Sequence, residues 1–550
     1  MFWVRSGLLI ATLGFISILV AGSMPRGPRP HPVVATHPCL TDPTFRATVE
    51  RVNDEFRADW ARRGLTPADR AGIDTLRRRL SLGLAGTLPS FEEHQQWAEA
   101  DGAQATDQQA ARLTEQQIAQ WVDYVLNDRR SSDYVAERFA RALVGTDTTP
   151  FLLFRRRRFV SWLSDSLAEN RPYDQLVRQL ITENGLRTDR PAVNFITATL
   201  DQNNENQPDE IRLAARTARA FLGVRLDCVQ CHDDNLGGSW TQADFHQLAA
   251  FYSECRLSVT GIHDQKRGYE FQYLRAEKPV DVQPRPPFAT ELLSETGTRR
   301  QQLAAWVTHP ENKAFSRAAV NRVWAILFGK PLVDPIDSIP LEGPYPPGLE
   351  ILAEDFSQHG YDLRRLIHLI AATEPFQLDS RADHELTAEH EQHWACFPVV
   401  RLRPEQVVGA TLQACALNTV DSESHVLVRL MKFGQEQDFI KRYGDAGADE
   451  FVARGGTIPQ RLLMMNGKIV HERTGENIVL NASTRIAALS RDHATALNTV
   501  YRCVLGRQPT DAEREYFLGK WDEQPEASFR QAIEDLYWVL LNSAEFSWNH

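Results

Sequence analysis

Residues 241–252, Thr-Gln-Ala-Asp-Phe-His-Gln-Leu-Ala-Ala-Phe-Tyr, show the kind of helical pattern from which the fold class of this chain is predicted. Thr241 and Asp244 resemble a capping box, in which two side chains satisfy free backbone N–H groups at the start of a helix. The apolar residues that follow recur at helical spacing and form one stripe, which consists of Phe245, Leu248, Ala249 and Tyr252. The stretch therefore predicts an amphipathic helix.

Similar signals recur along the 550 residues. Thr66-Pro67-Ala68-Asp69 predicts a helix start with proline at the first helical position, and Thr510-Asp511-Ala512-Glu513 predicts a second capping box. Another apolar stripe runs through Val320, Val323, Trp324, Leu327 and Phe328 and stops at Gly329. Strand-like alternation is scarce, and residues 269–274 are its best example. The predicted fold class is mainly α.

A chain of this length is expected to hold two or more domains. We predict a signal peptide or anchor at 1–23, a Pro-rich linker at 24–40 and a cytochrome c-like helical domain at 41–258. Glycines and prolines then interrupt any long helix at 259–297, which predicts a short irregular or β connection. A second helical domain is predicted at 298–550.

The N-terminus has the composition of an export signal, with Arg5 near the start, an apolar run at 7–21 and small residues at its end. The run is shorter than the roughly 20 residues that cross a bilayer comfortably, so a cleaved peptide is favoured, and an uncleaved anchor stays open. We therefore expect a periplasmic or cell-envelope protein, with membrane association through this segment as the alternative.

The charge balance argues against one class of partner. The chain has 61 Lys and Arg against 72 Asp and Glu, a formal net charge of -11 at pH 7. Nucleic-acid binders need a basic surface to neutralise phosphates. We therefore expect no nucleic-acid partner.

Cys228-Val229-Gln230-Cys231-His232 is the stretch that points to a particular chemistry. Two thiols at this spacing can each add to a vinyl group of haem, and the adjacent imidazole then binds the iron, which is the c-type attachment pattern. The motif predicts one covalent haem c, with Cys228 and Cys231 as attachment points and His232 as the proximal iron ligand. A Cys228–Cys231 disulfide or redox dithiol, and half of a zinc site, are the alternatives.

The sixth iron ligand is left open by the sequence. The candidates are His246, His263, Met464 and Met465, and ordinary packing or exposure explains each of them equally well. Asn321 and Arg322 are candidates for lining a cleft in the second domain, although capping and pairing within that domain also explain them. No hydrolase or nucleotide-binding fingerprint occurs, so no reaction is assigned and a redox role is favoured.

Several stretches resemble a pair of domains known from planctomycete proteins. The planctomycete-type cytochrome c domain of the second kind is resembled by AARTARAFLGVRL (214–226), CVQCHD (228–233), WT (240–241) and LAAF (248–251). The planctomycete-specific domain of unknown function that follows it is resembled by WVTHPEN (306–312), VNRVW (320–324), GYDLRRLI (360–367) and LYWVLLNSAEF (536–546). The resemblance covers most of residues 70–550 and implies a c-type haem domain followed by a domain without an assigned reaction.

The chain departs from that family in two ways. Members commonly carry a second histidine two residues after the motif histidine, where this chain has Asp234. Members also often carry a further cytochrome domain at the N-terminus and a long insert between the two shared domains, whereas here the connection is short. These differences imply a compact version with one haem.

Taken together, the leading hypothesis is an exported c-type haem protein that transfers electrons and whose C-terminal domain docks an unidentified redox partner protein or substrate. One alternative is a haem-free extracytoplasmic scaffold or binding protein with a Cys228–Cys231 disulfide. Another is a haem-assisted oxidoreductase that takes part in polysaccharide processing.

Overall fold

The computed structural model describes residues 36–100, 107–146, 156–201, 206–233, 240–273, 276–421, 439–444, 451, 456–475, 477, 481–523, 525 and 528–550. The predicted signal peptide or anchor and most of the Pro-rich linker lie outside the described residues. Among the helices of the described part, none has both the length and the apolar character that crossing a membrane would require.

Helices dominate the first half of the described chain. They are α1 (Pro43–Arg63), α2 (Ile73–Ala85), α3 (Phe91–Ala100), α4 (Asp107–Asn127), α5 (Arg129–Val144), α6 (Arg156–Ala168), α7 (Tyr173–Thr182), α8 (Asn194–Thr197), α9 (Glu210–Thr217) and α10 (Gln242–Ala249). A π-helical turn follows α9 (Ala218–Leu222), and short 3₁₀ turns lie at Pro38–Thr41, Pro191–Val193, Asp227–Gln230, Ala250–Tyr252 and Thr290–Leu292.

The second half continues the same architecture. Its helices are α11 (Arg299–Val307), α12 (Lys313–Phe328), α13 (Leu349–Gln358), α14 (Leu363–Ala372), α15 (Glu374–Gln377), α16 (Ala388–Gln392), α17 (Pro404–Ala414), α18 (Ile458–Asn466), α19 (Lys468–Thr474), α20 (Ala482–Leu489), α21 (His493–Leu505), α22 (Asp511–Asp522), α23 (Phe529–Leu541) and α24 (Ala544–Ser547).

The strands of the described residues pair only as small antiparallel ribbons. The pairs are β1 (Leu200–Asp201) with β2 (Gln207–Pro208), β3 (Cys255–Ser258) with β4 (Gly261–Asp264), β5 (Glu270–Phe271) with β6 (Val280–Asp281), and β7 (Val400–Arg401) with β8 (Trp548–Asn549). The prediction of a mainly α fold is confirmed. The strand expected at 269–274 is present in part, as β5.

Two of the three quoted helix starts are confirmed. Thr241 and Thr510 each form the expected capping box, and α12 ends at Gly329 in the left-handed conformation with φ of 77°. The start predicted at Thr66 is wrong, because α2 begins only at Ile73. The backbone N–H groups of Ala68 and Ala71 instead bond the carbonyls of Ala395 and Gln377, at 2.8 Å each. Long-range pairing thus outweighs the local signal.

The apolar side chains form two cores. The first extends in sequence from Val49 to Phe397 and contains residues from both sides of the predicted linker, while the second is formed by residues between Leu402 and Phe546 together with Leu82 and Leu88. Helix α2 contributes to both, since Leu80 packs in the first core and Leu82 in the second. It is the element around which the two cores meet.

Three consecutive arginines of α2 are buried between these cores. The Arg77 guanidinium lies over the rings of Trp97 and Trp121, with 5.5 Å to each centroid. No aspartate or glutamate side chain pairs with Arg78 or Arg79 in the described structure; their guanidiniums donate to backbone oxygens. Burial lowers the pKa of Arg78 to about 10 and that of Arg79 to about 9, so both remain charged at neutral pH.

The acceptors of Arg78 and Arg79 come from distant parts of the chain. Arg78 donates to the carbonyls of Leu505, Glu545, Phe546 and Trp548, at 3.0 to 3.4 Å. Arg79 donates to those of Phe376, Leu378 and His550, at 2.6 to 3.0 Å, and its guanidinium stacks 3.7 Å above the Phe397 ring. One turn of α2 therefore holds the C-terminal residues and the end of α15.

A buried ion-pair cluster adds a second connection between the cores. Glu405, at the start of α17, binds Arg138 at 3.1 Å and Arg141 at 2.5 Å, both from α5. Burial alone would raise the pKa of Glu405, but the two guanidinium charges lower it to about 2. The pair fixes α17 against the helices of the first core.

Replacing Arg79 tests this arrangement. Arg79→Met leaves the buried carbonyls of Phe376 and Leu378 and the partly buried backbone oxygen of His550 without this donor. We expect the free energy of unfolding to fall by about 3 kcal/mol or more in urea titrations. The matched control is Arg62→Met, because the Arg62 side chain is 73% exposed in its pair with Asp59 and should contribute no more than about 0.5 kcal/mol. Equal losses in the two variants would contradict the assigned role of Arg79.

Candidate functional site

The chain reaches the Cys-x-x-Cys-His motif through a tightly packed turn. After the π-helical turn, Gly223 adopts a φ of 64°, and a Cβ at this position would lie 2.8 Å from Cδ1 of Ile339. The Gly223 carbonyl accepts a hydrogen bond from the Ile339 N–H at 2.8 Å. Because of this close approach, the backbone that precedes the motif is held against the second half of the chain.

The motif itself is a 3₁₀ turn whose apolar members face inward. Leu226 and Val229 are fully buried in the first core, and the Val229 N–H bonds the Leu226 carbonyl at 3.1 Å. With these two residues inside, Cys228, Cys231 and His232 are all exposed. The turn therefore presents the two thiols and the imidazole to solvent.

Two arginines that precede the motif in the sequence form ion pairs that stabilise the turn. Arg219 pairs with Asp227 through its Nε at 2.9 Å and also approaches Asp337 at 3.3 Å, while Arg225 binds Asp337 at 2.6 Å. Partial burial raises the pKa of Asp227, but the bonds and charge of Arg219 lower it overall. The sequence did not indicate this network, because Asp337 lies more than a hundred positions along the chain from Arg219 and Arg225.

Helix α10, which follows the motif in the sequence, stabilises the turn through hydrogen bonds. The Asp233 carboxylate accepts a hydrogen bond from the Gln242 N–H at 2.8 Å, at the start of the helix. The carbonyl of Gln230, inside the motif, lies 3.0 Å from Nε2 of Gln242 and 3.1 Å from Nε2 of His246. The helix that the capping signal predicts thus fixes the backbone of the motif.

His246 is fully engaged by its neighbours. Because the Gln230 carbonyl can only accept, Nε2 of His246 carries the proton, and Nδ1 accepts from the Tyr269 hydroxyl at 2.9 Å. Its ring stacks on Phe271 with centroids 3.4 Å apart. Burial lowers the pKa of His246 although the bond to Gln230 opposes this, so the ring is neutral at pH 7.

The other candidates for a sixth iron ligand have separate surroundings. His263 lies on β4 with Nδ1 3.3 Å from the Gly261 carbonyl. Met464 is buried in the second core, whereas Val229 of the motif packs in the first, and the backbone of Met465 accepts a bond from Trp538 at 3.1 Å. The described structure gathers none of these three into a cluster with the motif.

The imidazole of His232 is arranged as metal-ligating histidines usually are. Its Nδ1 lies 2.8 Å from the Asp233 carbonyl, which makes Nδ1 the donor and leaves the lone pair on Nε2. Within the described part of the chain, Nε2 has no hydrogen-bond partner. Together with two exposed thiols, this geometry fits a covalently attached haem.

The remaining five cysteines contrast with the motif pair. All seven are free thiols, and Cys39, Cys255, Cys396, Cys415 and Cys503 are buried. Burial raises the pKa of four of these five thiols to about 12 and that of Cys396 to about 11, which makes them unreactive. Among the described residues, no group of three or more His, Cys, Asp or Glu side chains is arranged for a metal ion, so the zinc interpretation gains no support.

Asn321 has a structural role. Its amide donates to the carbonyls of Val333 and Ile336, at 2.9 and 3.3 Å, and its Oδ1 accepts from the Val333 N–H. The side chain therefore ties the loop after α12 to that helix. This bonding is the intradomain alternative that the sequence left open.

These features define a mainly helical protein with an outward-facing Cys-x-x-Cys-His turn. Two family models match the chain, in this order: PSCyt2, described as a protein of unknown function (DUF1549), over residues 51–257, and PSD1, described as a protein of unknown function (DUF1553), over residues 299–437. The chain belongs to the family of proteins in which these two domains follow one another, as the resemblance predicted. The stretch 536–546 lies outside both matched ranges. No curated protein and no solved structure matches.

The role of His246 can be tested through stability and its dependence on pH. His246→Phe removes the bonds to Gln230 and Tyr269, and we expect a loss of about 1–3 kcal/mol in the free energy of unfolding at pH 7. Since the folded pKa lies below the ordinary value of 6.5, the unfolded chain binds the extra proton, and stability should fall as the pH drops below 6.5.

His246→Phe should lack the part of the acid-induced loss of stability that protonation of this histidine causes. His263→Phe is the matched control, because it removes only the longer contact to Gly261. An unchanged pH slope in His246→Phe would show that the ring is not held neutral by the motif.

Proposed function

We propose that this protein is an exported c-type haem protein that transfers electrons. The observation that carries the proposal is the geometry of one turn. Leu226 and Val229 are buried, both motif thiols are exposed, and Nδ1 of His232 bonds the Asp233 carbonyl while its Nε2 has no partner among the described residues. Cys228 and Cys231 are the proposed sites of the two thioether bonds, and His232 is the proposed proximal ligand.

The chain's own residues would hold the attached group and set its environment. When bound, haem would supply a one-electron couple whose potential depends on axial ligation and on the surrounding hydrogen bonds. The Gln230 and Asp233 contacts to α10 would keep the His232 imidazole oriented. His246 is committed to Gln230 and Tyr269, so we propose that it acts as a positioning residue and not as the sixth ligand.

The location of the motif supports electron transfer with a separate partner. The turn lies on the surface, where a partner protein can approach. The ion pairs on one side of the turn and the hydrogen bonds to α10 on the other keep it rigid. Arg219 and Arg225 are already paired with Asp227 and Asp337, so they stabilise the turn and leave little free positive charge for docking. We propose that the second half of the chain docks the redox partner or substrate.

Covalent attachment is tested by making the protein in a host with cytochrome c maturation. We expect a Soret band that survives denaturation and extraction with acidified acetone, because thioether bonds outlast unfolding. Cys231→Ser should lose at least one of the two bonds, and the double variant Cys228→Ser, Cys231→Ser should be colourless after extraction.

The buried thiols provide the matched control. Cys396→Ala changes a cysteine outside the motif and should keep the full covalent signal. His232→Ala should keep attachment in part but change the ferric spin state, because the proximal nitrogen is gone. A folded, colourless wild-type protein with a Cys228–Cys231 disulfide would overturn the proposal and favour a haem-free scaffold.

Export is tested separately by N-terminal sequencing of the protein recovered from the periplasmic and membrane fractions. A mature chain that starts near Met24 is expected, because small residues follow the apolar run. An intact N-terminus in the membrane fraction would show that the segment is an anchor, and recovery of the intact chain in the cytoplasm would contradict export.

A further inference from the structure

A polar cleft lies between α3 and α21, away from the motif. Its volume is about 280 Å³, close to the lower end of the range for small-molecule sites. Seven residues line it: Phe91, Gln95, Thr495, Asn498, Thr499, Arg502 and Gln508. Among these residues none is acidic, so the cleft does not suit a cation.

The lining of the cleft follows helical geometry. Thr495, Asn498 and Arg502 are spaced three and four residues apart on α21, so they form one polar stripe along that helix. Phe91 and Gln95 stand in the same relation on α3. The opposite face of α21 carries apolar residues such as Leu497 and Val504, which are buried in the second core. The stripe is therefore built into the fold.

Four of the six polar side chains that line the cleft have no partner among the described residues. In the part of the chain that the structure describes, the side chains of Gln95, Asn498, Arg502 and Gln508 make no hydrogen bond or ion pair. Oδ1 of Asn498 is also buried from solvent without a partner. A buried acceptor without a donor is costly, and native proteins leave few of them. This independent observation points to a ligand that donates a hydrogen bond to Asn498.

Arg502 gives the cleft its charge. Burial lowers the pKa of the neighbouring His94 to about 4; the charge of Asp74 opposes this shift, and the charge of Arg502 adds to it. No carboxylate of the described chain pairs with the Arg502 guanidinium, and none of the residues that line the cleft is acidic. The cleft is therefore electropositive in a protein whose net charge is -11.

We propose that this cleft binds a small hydroxylated carboxylate, such as a sugar acid. A carboxylate suits the planar guanidinium of Arg502. Hydroxyl groups both donate and accept, as the amides of Gln95, Asn498 and Gln508 require. The Phe91 ring supplies an apolar wall for the carbon atoms of the ligand. The volume limits the ligand to about one sugar ring.

The test uses the full exported protein and titration calorimetry with D-glucuronate, D-glucose and inorganic phosphate as separate probes. We expect glucuronate to bind with a Kd near or below about 1 mM, and glucose to bind at least about tenfold more weakly, because it lacks the carboxylate. Inorganic phosphate at the same concentration as glucuronate should not displace glucuronate from the cleft. Tighter binding of phosphate, or equal binding of glucose, would overturn the proposed ligand class.

Variants locate the site. Arg502→Met should weaken glucuronate binding by about tenfold or more, and Asn498→Leu should weaken it as well. Arg491→Met is the matched control, since Arg491 is exposed and precedes α21 outside the cleft. Thermal unfolding of each variant reports whether the fold is kept. Glucuronate binding that survives in a folded Arg502→Met protein, or no binding in the wild type, would refute the site.

Discussion

Two buried guanidinium groups that bind backbone carbonyls set the constraint on which the rest of this structure depends. Arg78 and Arg79 are neighbours on α2, and their charges are balanced by backbone oxygens of α15, of α21 and of the segment 545–550. A buried charge without partners is very costly, so each acceptor segment must occupy its place for α2 to be stable. Helix α2 therefore determines where the two cores meet.

The Cys-x-x-Cys-His motif is likewise fixed by ion pairs and hydrogen bonds, which here act over a short segment of the chain. Its backbone is fixed from one side by arginine and aspartate pairs and from the other by the first two turns of α10. The exposed side chains of Cys228, Cys231 and His232 are attached to this rigid backbone. A rigid backbone keeps the geometry of a site fixed before anything binds to it. The carbonyl of Gln230 is central, because it accepts from two side chains of the same helix.

The sequence predicted the features that depend on neighbours along the chain. Helical period, the capping boxes at Thr241 and Thr510 and the stop at Gly329 are local, so pattern alone identified them. The helix start at Thr66 failed because Ala68 and Ala71 bond residues more than three hundred positions away. Tertiary placement likewise determines the contacts of Asp337, the partners of Arg78 and Arg79, and the cleft between α3 and α21. Three arginines inside the apolar run of α2 were the available signal for a buried cluster.

The contacts of Arg78 and Arg79 also bear on the order in which the chain can fold. Their acceptors include Glu545, Phe546, Trp548 and His550, which are synthesised 467 to 471 residues after the arginines that bind them. Until these residues emerge, the two arginines must stay hydrated, and α2 cannot enter the space between the cores at its full stability. The N-terminal half of the chain thus reaches its full stability only after residues 545–550 have been synthesised.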